Sequence, residues 1–268
     1  MKKTRLDVEL PNELLAFKEN IEASIKPYVE IKAKTENNLH LCQSKFGGFP
    51  YLPKGFHYPA DSKGQALFLL AQINFVEVPK LESFPQNGIL EFYISSGNDI
   101  YGACFEDLAQ QSGFRILYFP DVIEDESELV TDFSFLPEFD MLPLQKSCSL
   151  RFSLQYAPMP AVDYRFEPII LGQNVPKSKD ELYKIYDEYE KAFQSTGHKI
   201  GGYPYFTQHD PRHNKKYRDE NYVLLFQMDT DAEADIMWGD CGVGNFFIRS
   251  QDLQKRDFSK ALYNWDCC

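Results

Sequence analysis

The sequence offers no apolar stretch of the kind a membrane span requires. Its longest uninterrupted apolar run, at 66–71, falls far short of the roughly 20 residues that cross a bilayer. It also lacks a readable secretory signal, because the positive start Lys2, Lys3, Arg5 meets Asp7 and Glu9 instead of an apolar segment. A CxxC pair is missing as well. The six cysteines (Cys42, Cys104, Cys148, Cys241, Cys267, Cys268) are scattered through 268 residues, which excludes a small disulfide-stapled fold and predicts reduced thiols in a cytoplasmic protein. Basic charge is short: 28 Lys+Arg stand against 40 Asp+Glu, a formal net charge of −12. That balance argues against nucleic acid and against an anionic membrane surface as partners. Neither GxxxxGK[ST] nor GxGxxG occurs, no GxSxG elbow is present, and no Ser-His-Asp set can be assembled by spacing. What is abundant is core material. Hydrophobic residues make up 43%, with 22 Phe and 16 Tyr beside only 2 Trp, so the chain is globular rather than disordered.

The sequence reads as an internal duplication. Ser44-Lys45-Phe46-Gly47-Gly48-Phe49-Pro50-Tyr51 recurs as His198-Lys199-Ile200-Gly201-Gly202-Tyr203-Pro204-Tyr205 at an offset of 154 residues. Leu69-Leu70-Ala71-Gln72-Ile73-Asn74 answers Leu224-Leu225-Phe226-Gln227-Met228-Asp229 at an offset of 155. Gly88 with Phe92-Tyr93-Ile94 answers Gly242 with Phe246-Phe247-Ile248, again at 154. Each copy is preceded by a helix. One starts near Asn12, places Leu14, Phe17, Ile21 and Ile25 on one face and stops before Pro27; the other opens on a Ser178–Glu181 capping box and carries Leu182, Ile185, Tyr186, Tyr189 and Phe193. The proline-rich stretch 157–177 reads as the connection, which divides the chain into 1–160 and 161–268, packed as one globule.

Most of the remainder reads as strands. Cys148, Leu150, Phe152, Leu154 and Tyr156 alternate with polar residues, and 67–78, 88–95, 114–119, 222–228, 244–248 and 261–265 are short and bounded by Gly, Pro or Asn. Long helices do not separate the strands, which disfavours a parallel doubly wound sheet. The predicted fold is α+β, with β-rich antiparallel sheets and an N-terminal helix in each of two duplicated halves.

Lys45 to Tyr51, the copy running from His198 to Gln208-His209-Asp210-Pro211-Arg212, and Gln227-Met228-Asp229-Thr230-Asp231 leading to Met237-Trp238-Gly239-Asp240-Cys241-Gly242 resemble the bacterial YwqG-like family over essentially the whole chain. The resemblance implies a β-rich duplicated fold, an unknown function and no established catalytic residues. Thr230 departs from the Ser expected in the acidic motif.

Candidate ligand contacts follow from the repeats: Lys45, Gly47, Gly48, Tyr51 and Gln72 in one copy, and Lys199, Gly201, Gly202, Tyr205, Gln227 and Trp238 in the other. Paired glycines allow backbone amides to approach a group closely, and an adjacent Lys suits an anion, although a tight corner starting a strand explains the same pattern. Asp229, Asp231, Glu233, Asp235 and Asp240 fall at calcium-loop spacing, but Ala234 replaces the required Gly, so an EF-hand is rejected. Asp229, Asp231 and Asp240 remain a candidate noncanonical metal site, and a divalent cation is the one cofactor that the pattern leaves room for. His209 and His213 lie four apart with Pro211 between them. They read as part of a polar loop in which Arg212, Lys215, Lys216 and Arg218 are solvated. Cys267 and Cys268 read as buried and inert behind a docked terminal strand.

The expected role is noncatalytic binding of a small ligand or protein partner, with a groove between the copies as the place to look. A divalent-cation-assisted hydrolase and an immunity-type or operon partner are the alternatives. The charge is uneven: 121–140 hold eight acids and 229–240 hold five, with no Lys or Arg in either, so those two segments account for −13 and the remainder for +1.

Overall fold

The computed structural model describes residues 5, 6 and 8–268; the expectation placed on the extreme amino terminus lies largely outside them. Ten strands form one antiparallel sheet. They are β1 (Lys26–Thr35), β2 (Lys45–Phe46), β3 (Phe68–Asn74), β4 (Ile89–Ile94), β5 (Phe114–Phe119), β6 (Cys148–Ala157), β7 (His198–Gly201), β8 (Tyr222–Asp229), β9 (Val243–Arg249) and β10 (Leu262–Asp266). The order across the sheet is β10-β9-β8-β7-β1-β6-β2-β3-β4-β5. Two runs of four strands thus flank a central pair, and each central strand sits beside the run that follows the other one in sequence.

The central pair is the longest ladder, from Lys26↔Ala157 to Thr35↔Cys148. The sequence reading leaves β1 out, although Val29, Ile31 and Ala33 alternate with Glu30, Lys32 and Lys34 as a half-buried strand requires. On either side the ladders carry a bulge, between Leu69 and Ala71 in β3 and between Leu224 and Phe226 in β8. A bulge tightens the local twist.

The sheet curls until it is nearly a closed barrel, with aromatic rings filling the interior. Phe92 of β4 lies 4.8 Å from Phe226 of β8 and 4.9 Å from Phe246 of β9. Phe114 on one edge strand meets Tyr263 on the other at 5.3 Å. The segment 95–113 seals the seam between these edges. Tyr263 N–H donates to Leu108 O (2.9 Å), its hydroxyl donates to Tyr101 O (3.1 Å), and Trp265 Nε1 donates to Ile100 O (2.9 Å). Such bonds cover an edge that would otherwise be free to pair with another chain.

Three α-helices accompany the sheet: α1 (Lys18–Ala23), α2 (Lys179–Ala192) and α3 (Ser250–Lys255). A 3₁₀ turn at Asn12–Phe17 leads into α1, and Leu14, Phe17 and Ile21 pack with Ile185 and Tyr189 of α2 in a core of their own. The expected helical stripes bury against each other, except that the first helix ends at Ala23 rather than before Pro27, so Ile25 lies outside it. The Ser178–Glu181 capping box is not formed. Ser178 occupies the N-cap without a side-chain hydrogen bond, and Asp180 and Glu181 in the first turn complement the helix dipole instead. Among the described residues no helix is long and apolar enough to cross a membrane.

Candidate functional site

The repeated corners come first, because most of the sequence candidates lie in them. Gly47, Gly48, Gly201 and Gly202 all have φ between +62° and +74°, the left-handed region that glycine enters without strain. The lysines beside them do not face an anion site. Lys45 is wholly buried, and its ammonium donates to His40 O (2.5 Å), Phe49 O (2.9 Å) and Leu41 O (3.1 Å). Lys199, also buried, donates to Ser195 O. Burial lowers both ammonium groups to about 8.

The two glutamines clamp the corners onto the sheet. Gln72 Oε1 accepts from Tyr51 N–H (2.6 Å), while its amide donates to Leu41 O (2.6 Å) and Gln43 O (2.8 Å). Gln227 Oε1 accepts from Tyr205 N–H (2.8 Å) and its amide donates to Gly197 O (2.7 Å). Trp238 is fully buried between the rings of Tyr101 and Trp265. Lys45, Gln72, Lys199 and Gln227 are thus engaged inside the protein, Tyr51 is buried with them, and Trp238 is packed with its Nε1 lacking a hydrogen-bond partner among the described residues.

The acidic candidates are likewise dispersed. Asp229 is buried and accepts from Gly197 N–H (2.6 Å) and Thr230 N–H (2.8 Å). Burial raises its carboxyl, against those two bonds. Asp231 faces His198 instead: Nε2 lies 3.3 Å from Oδ2, and His198 Nδ1 accepts from Asp229 N–H (3.0 Å), which places the ring proton on Nε2. The hydrogen bond from His198 carries the Asp231 carboxyl down to about 2. Asp240 is exposed. Among the described residues, no group of three or more His, Cys, Asp or Glu is placed to hold a metal ion. The sequence reading did not single out His198. Its ring is buried beside Phe46, with no nucleophile against it in the hydrogen-bond pattern.

Surface clefts remain, among them a small one of about 10 Å³ that touches Lys199 and Gly202. One of about 340 Å³ runs along Gly47 and Gly48, and another of about 360 Å³ touches Tyr205. The largest of these, about 440 Å³, contains none of the candidate ligand contacts or metal ligands read from the sequence. It opens where the seam segment at Phe105, Glu106 and Leu108 faces the 208–217 loop and the end of β10. One wall therefore comes from the first part of the chain and the other from the second.

A buried ionic network supports this cleft. Arg212, expected to be solvated, is 3% exposed. Its guanidinium donates to Asp210 Oδ1 (2.9 Å) and Oδ2 (2.6 Å) and to Asp163 Oδ2 (2.9 Å), and it sits 5.1 Å over the Phe247 ring. Asp163 also binds Arg165 through Nε (2.7 Å) and Nη2 (2.6 Å). Burial opposes ionisation of Asp163, yet the Arg165 hydrogen bonds and the Arg212 charge hold its carboxyl below the ordinary value. Such a network fixes the 208–213 loop, because each charge is left unpaired if the loop departs.

Over that floor, Asp266 accepts from Thr207 N–H (3.2 Å), Thr207 O–H (3.1 Å) and Gln208 N–H (3.1 Å). Burial raises its carboxyl, against these bonds. Asn264 is 7% exposed, lines the cleft, and has no side-chain hydrogen-bond partner among the described residues. The sequence carries one signal for it: Asn264 interrupts the otherwise apolar stretch 261–265. Cys267 and Cys268 lie just beyond that strand. Contrary to expectation they are half-buried and exposed, and both thiols are free.

Residues 44–267 match the family described as a domain of unknown function (DUF1963), which spans well over half of the chain, so the chain belongs to that family. No curated protein matches it.

Proposed function

We propose that the protein is a noncatalytic binding module whose small ligand occupies the 440 Å³ cleft at the barrel seam. The observation that carries this reading is Asn264, a residue more than nine-tenths buried that lines the cleft and whose amide has no partner among the described residues. Its polar atoms reach solvent only through the cleft, and a ligand that pairs with them takes the place of that water. The cleft also falls in the volume range of small-molecule sites and between two parts of the chain, where such sites concentrate. Protein-observed NMR against a fragment library tests it: hits are expected to shift Asn264, Trp265 and His209 together. Hits that map only elsewhere overturn the reading.

Within the family we read the chain as YwqG-like and internally duplicated, with units 1–160 and 161–268. The constant offset of the repeats, the matching bulges in β3 and β8 and the matching glutamine clamps support that reading. Six free cysteines suit a cytoplasmic setting. A cation-assisted hydrolase at Asp229, Asp231 and Asp240 is the weaker reading, since two of the three carboxylates are committed to internal donors. A thermal shift with Ca²⁺, Mg²⁺ or Zn²⁺ that is abolished by Asp240→Asn would restore it.

A further inference from the structure

The chemistry of the seam cleft narrows what it can hold, granted that it is the binding site proposed above. Three carboxylates line it: Asp210 is paired with Arg212, whereas Glu106 and Asp266 are in no ion pair among the described residues. No lysine or arginine lines it. The nearest guanidinium, Arg212, is committed to Asp163 and Asp210, and Lys216 is committed to Asp107 at 2.7 Å. His209, His213, Gln208 and Asn214 add neutral polar groups or imidazoles to the lining.

Apolar contact comes from two rings. Trp265 is half-buried and anchored through Nε1 to Ile100 O, so one part of its indole is fixed at the cleft wall. Phe105 is 52% exposed and stands 6.3 Å away at an interplanar angle of 56°. An exposed phenylalanine beside an indole and two unpaired carboxylates attracts a cation twice over, through charge and through the ring faces. Asn264 adds a buried donor and acceptor that a purely electrostatic patch would not have.

We infer that the cleft takes a small organic cation, an amine or guanidinium carrying an apolar or planar group, recognised by Glu106, Asp266, Trp265 and Asn264. Anionic ligands are disfavoured by the same carboxylates. Because the paired charges of Arg212 lie beneath the cleft, its floor is neutral and the field at its mouth is set by Glu106 and Asp266.

The test titrates the full chain with phenethylamine, 2-phenylethanol and 3-phenylpropionate, which share a ring and differ in charge, reading tryptophan emission. Trp238 is buried but packs 6.2 Å from Trp265, so Trp238→Phe, which should keep the response, assigns the signal to Trp265. Phenethylamine is expected to bind roughly tenfold tighter than the alcohol, and the acid weakest. Glu106→Gln, at an exposed position, is expected to weaken the amine about threefold or more, and raising salt from about 0.05 to about 0.5 M to do the same. Asp266→Asn gives a second arm. If the alcohol or the acid binds as tightly as the amine, or both variants bind the amine undiminished, the cation assignment is overturned while the cleft stands as a binding site. If no probe of any charge alters the emission while library fragments still shift Asn264, the cation assignment alone falls. If neither responds, both readings fall.

Discussion

Glu91 sits on β4 with no solvent exposure, beside Gln72 of β3, which is itself beside Lys45 of β2. One of its oxygens accepts from Tyr93 O–H (2.9 Å), and the other has no partner. Burial pushes its carboxyl up to about 8, against that bond and the Lys45 charge. The folded state therefore holds a proton that the unfolded chain releases near the ordinary value of 4.5. Stability from this group is complete below that value and is lost as pH rises through about 8. Lys45 and Lys199, lowered to about 8, add a dependence only above that pH, so the two windows separate. Urea unfolding at pH 5 and pH 8 is expected to show a loss on the order of a few kcal/mol, and Glu91→Gln to remove most of it. Arg212 makes a second residue-scale prediction. Arg212→Met leaves Asp210 buried without its cation and Asp163 with Arg165 alone, and is expected to cost about 3 kcal/mol or more by the same measurement. Neither residue stood out in the sequence, because burial of a charge is a tertiary property and Asp163 lies far from Arg212 along the chain.

At the scale of elements, the corners act as straps across the outer face of the sheet. Gly202 has φ +69°, and a Cβ there would lie 2.6 Å from Tyr28 Cβ on β1. Gly202→Ala combines left-handed strain with a clash against a neighbouring strand, and is expected to destabilise by on the order of 2 kcal/mol or more. Amide exchange should place the loss of protection around Tyr203 and Tyr205. The strands with clear alternation or apolar runs, and α2 with its single stripe, were legible because local pattern and burial agree there. The ten-residue β1 was not, since Pro27 draws the eye to a helix end while the strand begins one residue earlier, at Lys26. The cleft was legible only in pieces. Its 208–212 segment belongs to a recognisable motif, whereas its Phe105 wall comes from the seam segment, whose position follows from sheet curvature.

For the whole molecule, the principal core draws on both parts of the chain: Phe46, Phe92 and Phe114 pack with Phe226, Phe246 and Tyr263. Neither part closes that core alone. Residues 1–160 and 161–268 expressed separately are expected to lack cooperative unfolding and to expose apolar surface to a dye, and to recover both when mixed. A well-dispersed NMR spectrum from either piece by itself would contradict this.

The placement of β1 has a further consequence, for the time the chain takes to reach its native state. Tyr28 pairs with Gly201, and Lys26 with Ala157, so the two strands at the middle of the sheet are joined only through the whole run β2 to β5. Loop closure must precede most of the native pairing, which sets a high contact order and slow folding. Until that closure, the two four-strand runs stand with unpaired inner edges, and the species most prone to associate wrongly is the half-assembled chain rather than the unfolded one.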